Sequence, residues 1–266
     1  MPFAEYDSNG ILIGGLAHRW FTLKSLKWKP TVMERERYTV KDLAGYFGRF
    51  TVSQITDDHV ETWAKQRAAG CAAVTFNRDL IRLNEIFNYA VCKGYRFDNP
   101  AQYIEKRPTV KYVPTIPSRT EFANILAIMR SNKSKPTASA SADLCEGLTY
   151  LGCRKADAAW LEWQHIDFKI GTVRITGHPL THTKNGEQRI IPLFDPLRRL
   201  LLDMRAALPA PPQPTDKVFM VKSCRKAFET ACQQLGLPHY PPHHTWRRFF
   251  ISHCIMAGID AETIAP

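Results

Sequence analysis

The dipeptide Asn185-Gly186 restricts the fold of this chain most, because it stands between short segments in which apolar and polar residues alternate. Asn-Gly is the preferred pair of a two-residue type I′ turn, whose twist matches that of a β-hairpin. The segments GTVRIT and LTHTK precede the turn, EQRIIPL follows it, and β-branched residues are frequent in all three. We therefore predict a small antiparallel sheet over residues 172–193, inside a half of the chain that is otherwise helical.

The first half of the chain, residues 18–107, has the periodicity of helices. One segment begins with three candidate N-caps, Thr56, Asp57 and Asp58, and stops at Gly70. A shorter amphipathic segment covers residues 39–50. A third segment stops near Gly94, and its apolar residues recur three or four positions apart, at Leu80, Leu83, Ile86, Phe87 and Ala90. Strand-like alternation is absent from this sequence, so we predict a small helical bundle.

A proline-rich segment separates the two halves. Residues 106–118, KRPTVKYVPTIPS, contain three prolines and have little helical character, which is typical of a linker between domains. Ser118 is a good N-cap for the helical pattern that follows, and the low-complexity segment 131–142 predicts a flexible loop. We expect a first domain at 14–107, a linker at 108–117 and a second domain at 118–266. The predicted fold class is mainly α with a small antiparallel β-sheet: an N-terminal helical bundle followed by a mixed α+β domain.

The charge of the chain favours an anionic partner. The formal net charge is +11 and the isoelectric point is near 9.4, and the basic residues are spread over both halves instead of forming one tail. Positive charge distributed over a folded chain suits a polyanion that touches both halves, and nucleic acid is the first candidate. Simple solubility is the alternative explanation, which charge alone does not exclude.

The cysteines and the hydropathy of the chain narrow the classes of protein to which it can belong. The chain has seven cysteines, an odd number, and none are spaced as Cys-x-x-Cys, which disfavours a disulfide framework or a zinc ribbon. The sequence contains neither an apolar stretch of membrane-spanning length nor the pattern of a signal peptide. We expect no membrane association and, by default, a cytoplasmic location.

Four basic residues have placements that suggest chemistry. Arg154 follows a glycine-containing break between two helical patterns, and Lys184 precedes the predicted hairpin turn. His244 and Arg247 are three residues apart on a helix that we expect to begin near Thr245, so they share one face. Two guanidiniums can each bind phosphate oxygens, while a lysine and a histidine can donate or transfer protons. Such a set could stabilise a phosphoryl-transfer transition state without a metal ion or other cofactor, and no carboxylate cluster indicates a magnesium site.

Each of these residues also has a structural explanation. Taken alone, Arg154 is better explained as a helix cap or a partner of Asp157, Lys184 as a solvated hairpin residue, and His244 with Arg247 as a surface pair. A zinc site is disfavoured, because its candidate ligands span a proline loop and a helix without metal-type spacing; they are His239, His243, His244, His253 and Cys254. The aromatic residues are better explained as core than as base-stacking platforms; they are Trp160, Trp163, Phe249 and Phe250.

The order of these residues resembles the tyrosine recombinase (phage integrase) family. The segments that carry the resemblance are GCRKADAAWLEWQHIDF, THTKNGEQRIIPL and HHTWRRFFISHCIMAGID. They match the family's first arginine with an acidic residue three positions later, its hairpin lysine and its His-x-x-Arg box. In the first half, ITDDHVETWAKQRAAGCAAVTFNRDLIRLNEIFNYAVCKGYRFDNP resembles the family's SAM-like helical core-binding domain.

The resemblance implies a function and a role for each site residue. Members of the family clamp duplex DNA, assemble with other recombinase protomers on it, and cleave and rejoin strands through a 3′-phosphotyrosyl link during integration of mobile or viral genomes. By this resemblance Arg154 and Arg247 would bind the non-bridging phosphate oxygens, and Asp157 would orient Arg154. Lys184 would protonate the leaving 5′-oxygen and His244 would assist proton transfer. A bacterial or phage-encoded protein associated with the nucleoid is the implied setting.

The resemblance also implies a tyrosine nucleophile, and this sequence has none after Arg247. The family continues from the His-x-x-Arg box to a Gly-His or Gly-Trp motif and then to the tyrosine, whereas all nine tyrosines here precede the box. We therefore expect a catalytic domain that is incomplete at its C-terminus. Two alternatives to an active recombinase stay open: a DNA-binding remnant or competitor of an intact enzyme, and a basic helical protein that binds RNA.

Overall fold

The computed structural model describes residues 6–7, 10–110, 115–132, 137–179 and 188–260, with the backbone alone for residues 6–7 and 242–244. The chain divides into two compact units, Met1–Lys111 and Tyr112–Pro266, and each unit has a hydrophobic core of its own. Among the helices in these ranges, none is long and apolar enough to cross a membrane. The turn of the predicted hairpin and the residues beside it, including Lys184, Asn185 and Gly186, lie outside the described residues.

The first unit is a helical bundle with one short two-stranded ribbon. Its antiparallel strands are β1 (Tyr6–Asp7) and β2 (Gly10–Ile11). Its helices are α1 (Ile13–Ser25), α2 (Pro30–Phe47), α3 (Asp57–Gly70) and α4 (Ala73–Cys92). Helix α3 begins where the sequence predicts, because the Thr56 hydroxyl accepts a hydrogen bond from the His59 N–H and caps the first turn.

The apolar face of α4 forms the centre of the first core. Leu80, Leu83, Ile86, Phe87 and Ala90 are all buried, as their spacing predicts, and they share one cluster with side chains of α1, α2 and α3. Burying such a face, which contributes about 1.5–3 kcal/mol for each large apolar side chain, stabilises the bundle far more than helix propensity does.

Helix α2 is longer than the sequence predicts, because it begins at Pro30 and not near Thr39. A proline at the first helical position has a suitable φ and no N–H to leave unpaired. The early turns hold few apolar residues, and their anchor is the fully buried carboxylate of Glu36. This carboxylate accepts a hydrogen bond of 2.6 Å from Arg82 Nε and one of 2.7 Å from Arg35 Nη2.

The second unit is mixed and mostly helical. Its helices are α5 (Arg119–Ser131), α6 (Ala138–Leu151), α7 (Lys155–Ala158), α8 (Asp195–Ala206), α9 (Arg225–Gln234) and α10 (Pro242–Met256), with a 3-10 turn at Trp163–His165. Helix α6 lies at its centre, in contact with α5, α8, α9 and α10. Ser118 is the N-cap of α5, as the sequence predicts, and it belongs to a capping box: its hydroxyl accepts the Glu121 N–H, and the Glu121 carboxylate accepts the Ser118 N–H.

The predicted sheet is present in the second unit. It has three antiparallel strands in the order β3 (Ile166–Asp167), β4 (Thr172–Ile175) and β5 (Arg189–Pro192). In β4, Val173 and Ile175 are buried in the core, and Ile175 pairs with Arg189 across the ladder. The prediction of a mainly helical chain with a small antiparallel sheet is confirmed.

Two local predictions for the second unit are wrong. Segment 131–142 is not a loop throughout, because α5 continues to Ser131 and α6 already begins at Ala138. Ser141 and Ala142 are buried, so core packing overrides the low-complexity composition. Helix α10 begins at Pro242 and not near Thr245. Thr245 is fully buried, and its hydroxyl donates to the Pro241 carbonyl at 2.7 Å.

Candidate active site

The break between α6 and α7 positions Arg154. Helix α6 ends at Leu151, and Gly152 follows in the left-handed region with φ of 55°. Arg154 then has extended backbone, with φ of −73° and ψ of 147°, and lies directly before α7. A Cβ added to Gly152 would lie 2.3 Å from Cδ1 of Phe250. Only glycine therefore meets both the dihedral angle and the contact at this position.

Arg247 is held against the same break. Its Nη1 donates to the Gly152 carbonyl at 2.7 Å, across 95 residues of sequence. Trp246, beside it on α10, is buried and packs edge-on against Phe228 with ring centroids 4.2 Å apart. The structure thus brings Arg154 and Arg247 together through the C-terminal end of one helix and the packed face of another.

Asp157 is buried, and it lies close enough to Arg247 for its charge to act on that guanidinium. Its N–H donates to the Arg154 carbonyl at 2.9 Å in the first turn of α7, so the two residues are linked through the backbone. Its carboxylate Oδ2 lies 3.9 Å from Nη2 of Arg189. The sequence-based proposal that Asp157 orients the Arg154 side chain stays a prediction.

Arg189 is the site residue that sequence analysis did not single out. It is the first residue of β5, and its side chain is 18% exposed. Charge balance is the signal that could have identified Arg189. A buried carboxylate such as Asp157 needs a nearby cation, and the strand after the hairpin contains an arginine. Reading that signal requires knowing that Asp157 is buried, and the sequence alone does not show it.

The electrostatics of the site show an excess of positive charge. Burial and the charges of Arg189 and Arg154 lower the pKa of the Arg247 guanidinium below its usual value, although it stays protonated at neutral pH. Burial, with a smaller effect from the Asp157 carboxylate, raises the pKa of the neighbouring Cys153 thiol to about 12. In the described part of the chain, the site thus holds three arginines and one buried carboxylate, that of Asp157, an arrangement that a bound oxyanion would stabilise.

The structure leaves two of the predicted residues unplaced. Lys184 lies outside the described residues, and for His244 only the backbone, in the first turn of α10, is described. The prediction that His244 lies beside Arg247, three residues along the helix, therefore stays a prediction. In the described ranges, no group of three or more His, Cys, Asp or Glu residues is arranged to hold a metal ion.

The tyrosines of the second unit that the structure describes are Tyr150 and Tyr240. Tyr240 is buried, and burial with the negative charge of Glu146 raises the pKa of Tyr150 to about 12. The Tyr150 ring packs edge-on against Phe194 at 5.8 Å. Both phenols have a raised pKa, the opposite of what an attacking group needs, and Tyr240 is in addition buried.

Comparison with known proteins gives relatives in sequence and in fold. One is the Escherichia coli (strain K12) protein named "Putative defective protein IntQ", which is 24% identical over 291 residues, covering 89% of this chain and 71% of the relative. Another is tyrosine recombinase XerC of Thermodesulfovibrio yellowstonii, 21% identical over 216 residues, covering 76% and 69%. The structure of a lambda integrase(75–356) dimer bound to a COC′ core site superimposes with a TM-score of 0.77 at 14% identity, covering 96% of this chain and 93% of that one.

Family models cover both units of the chain. Residues 14–107 match the model of the phage integrase central domain. Residues 118–266, more than half of the chain, match the model of the phage integrase family. The site described above lies in the second match, and its arginines stand in the order on which the sequence resemblance rests. This chain belongs to the phage integrase family.

Proposed function

We propose that this chain acts in site-specific DNA recombination or integration as a tyrosine-recombinase-type protein, binding duplex DNA and engaging a scissile phosphate through Arg154 and Arg247. The observation that carries the proposal is the hydrogen bond of 2.7 Å from Arg247 Nη1 to the carbonyl of Gly152, which lies at the end of α6, two residues before Arg154. Guanidiniums held in this way suit the non-bridging oxygens of a phosphodiester, since they need no reorganisation when charge develops on the phosphate.

The remaining roles follow from the family. Lys184 would protonate the leaving 5′-oxygen, His244 would assist proton transfer, and Asp157 would orient Arg154. No metal or other cofactor enters this scheme. Assembly of several protomers on DNA belongs to the proposal, supported by the related integrase that crystallised as a dimer on a core site. Association with the nucleoid would follow from DNA binding.

A second candidate function is DNA binding without strand cleavage. The observation in its favour is the poor suitability of Tyr150 and Tyr240 as nucleophiles, since one has a raised pKa and the other is buried. A suicide DNA substrate separates the two functions. A covalent protein–DNA band on a denaturing gel supports cleavage by the chain, and binding without such a band supports the binding module.

The proposal is tested first by the salt dependence of duplex binding. We expect the logarithm of the association constant to fall linearly with the logarithm of salt concentration, because each neutralised phosphate releases counterions. Arg247→Ala should reduce the slope by about 0.9, the value for one phosphate contact. Fluorescence anisotropy with a labelled duplex measures both quantities, and a flat salt response in the unmodified chain would exclude the proposal.

The matched control is Arg225→Ala, which removes one positive charge from the same unit. Arg225 is well exposed on α9 and bonds to Glu229 at 2.9 Å, so its loss should leave the slope close to that of the unmodified chain. Thermal unfolding of both variants without DNA separates lost phosphate contact from lost structure. If both variants change the slope equally, general charge explains the binding and Arg247 has no special role.

Sequence specificity needs a separate measurement. A random duplex library is incubated with the chain, and bound molecules are recovered and sequenced over several rounds. A site-specific recombinase should enrich one motif, and competition with an RNA duplex of equal length should be weak. Recovery of an unbiased library, or stronger binding to RNA, would contradict the proposed function.

A further inference from the structure

Asp157 and Arg189 form a buried pair of opposite charges whose side chains are not joined by a hydrogen bond. Asp157 Oδ2 and Arg189 Nη2 lie 3.9 Å apart, longer than a charge-assisted hydrogen bond of about 2.7–2.9 Å. Both atoms are inaccessible to solvent, and neither has a hydrogen-bond partner in the described part of the chain. A carboxylate in this state attracts any guanidinium that can reach it.

Two guanidiniums that the proposed function needs elsewhere lie in the same cluster. Arg154 lies close enough for its charge to lower the pKa of the Arg247 guanidinium, and its backbone carbonyl accepts the Asp157 N–H at 2.9 Å. Arg247 has one nitrogen on the Gly152 carbonyl, which leaves its other nitrogens available. If Asp157 lacked a second cation, its full negative charge would go beyond orienting Arg154: it would hold Arg154 or Arg247 as its own ion-pair partner, away from the phosphate.

We propose that Arg189 is a positioning residue of the phosphate site: it neutralises the buried Asp157 carboxylate and so keeps Arg154 and Arg247 free to bind phosphate. This inference rests on the proposed function and extends it by one residue. Arg189 suits the role because it begins β5, where pairing with Ile175 fixes its backbone. Its guanidinium also faces the buried side of the site, since its Nη2 is inaccessible.

The competing explanation is an ion pair that serves stability alone. The two explanations differ in what happens when Asp157 is also changed. If Arg189 acts by occupying Asp157, its loss should matter only while Asp157 carries a charge. An ion pair that only supports the fold predicts no particular loss of phosphate binding in a folded variant, and a direct phosphate contact predicts the same loss in both backgrounds.

The test is a double-mutant cycle with Arg189→Met, Asp157→Asn and the combination of both, using the full 266-residue chain. Inorganic phosphate is titrated into each protein, and the side-chain Nε–Hε resonances of the arginines are followed by NMR. Anisotropy with a labelled duplex is recorded in parallel. We expect Arg189→Met to weaken phosphate binding about tenfold, the effect of losing one charge-assisted contact. In the Asp157→Asn background the same change should cost less than about twofold.

A conservative variant keeps the test decisive if Arg189→Met does not fold. Arg189→Lys preserves the positive charge and should retain phosphate affinity within about threefold, because a lysine also neutralises Asp157, though without the fork geometry. Circular dichroism establishes the folded state of every variant before titration. If Arg189→Met is unfolded, the same comparison is made between Arg189→Lys and Arg189→Gln, which differ in charge.

The possible outcomes separate this inference from the proposed function. An equal loss in both backgrounds, or no loss on changing Arg189 while the unmodified chain binds phosphate and DNA, would overturn the inference and leave the function intact. Failure of the unmodified chain to bind DNA would overturn the function, while the phosphate cycle would still report on Arg189. Absence of phosphate binding at Arg154 and Arg247 in the unmodified chain would overturn both.

Discussion

At the scale of single residues, Gly152 combines two constraints that no other residue type satisfies. Its φ of 55° lies in the left-handed region, and an added Cβ would lie 2.3 Å from the Phe250 ring. Its carbonyl is also the acceptor for Arg247. A side chain here would therefore disturb both the fold and the position of the guanidinium.

We expect Gly152→Ala to lower the free energy of unfolding by about 2–4 kcal/mol. About 1–2 kcal/mol comes from the left-handed backbone and the rest from overpacking against Phe250. The measurement is urea unfolding followed by circular dichroism. Gly236→Ala is the control, because Gly236 also has positive φ, 64°, but nothing lies within 4 Å of its added Cβ. Equal losses in the two variants would show that the contact with Phe250 contributes nothing.

The cysteines of the second unit provide a second test at this scale. Cys145, Cys153, Cys224 and Cys232 are buried, and burial raises the pKa of Cys153 to about 12. Because the thiolate is the reactive form, we expect the exposed Cys92 of the first unit to react first with a thiol reagent at pH 8. Mass spectrometry of peptides from the native protein identifies the labelled positions, and early labelling of Cys153 would contradict the described burial.

At the scale of elements, the sequence predicts best where one local rule decides the structure. Helix α4 follows from its apolar spacing, the start of α5 from the N-cap Ser118, and the strand pair β4–β5 from alternation around Asn-Gly. Each of these patterns agrees with the tertiary packing. For such elements, the local pattern alone predicts both the type of element and most of its core residues.

Elements whose position depends on tertiary contacts are not predicted by such local rules. The early turns of α2 are polar and are held by Glu36, whose partner Arg82 is 46 residues away. The first turns of α6 lie in a segment of low complexity but bury Ser141 and Ala142. In the site, Arg154 and Arg247 are predictable from motif order, whereas Arg189 is not, because its importance comes from the burial of Asp157.

The ion pair between Glu36 of α2 and Arg82 of α4 predicts that the stability of the first unit depends on pH. Burial alone would raise the pKa of Glu36, but its hydrogen bonds with Arg82 and Arg35 and their charges lower it below the ordinary value of 4.5. A lowered pKa in the folded state means that the ionised group stabilises the first unit above about pH 4.5, and that this contribution is lost as pH falls below it.

We therefore expect Glu36→Gln to destabilise the first unit by about 3 kcal/mol at pH 7, since it leaves Arg82 without its buried partner. The difference in unfolding free energy between Glu36→Gln and the unmodified chain should shrink as the pH falls from about 5 to about 3. Thermal melts over this range give the measurement. Glu61→Gln is the control, because Glu61 forms an exposed pair with Lys65 that contributes no more than about 0.5 kcal/mol. A loss that stays constant with pH would contradict the assignment to ionised Glu36.

At the scale of the whole molecule, each unit has a separate hydrophobic core, and the division falls at Lys111–Tyr112. The end of the first unit is tied down by Arg107, whose Nη1 donates to the carbonyls of Ala68 and Cys71 at 2.8 Å each. The boundaries proposed from the sequence, 14–107 and 118–266, are compatible with this division. A unit with its own core and anchored end should fold without its neighbour.

We expect a fragment of residues 1–111 to be helical and to unfold cooperatively on its own. Far-ultraviolet circular dichroism and a urea titration provide the measurement. A fragment of residues 1–80 is the control, because it lacks the second half of α4, including the buried Leu83, Ile86 and Phe87. If fragment 1–111 is as unstructured as fragment 1–80, the two units depend on each other and the proposed division is wrong.

The hydrogen bond from Arg247 to the Gly152 carbonyl has a consequence for how this family diverges. The position of the Arg247 guanidinium depends on packing in the interior, since the bond joins the end of α6 to a helix whose buried Trp246 packs on Phe228. Substitutions that change side-chain volume in this part of the core would therefore displace Arg247, while the residues proposed to bind phosphate stay the same. A relative with such a substitution would lack the phosphate contact proposed for Arg247, although its sequence motif is intact.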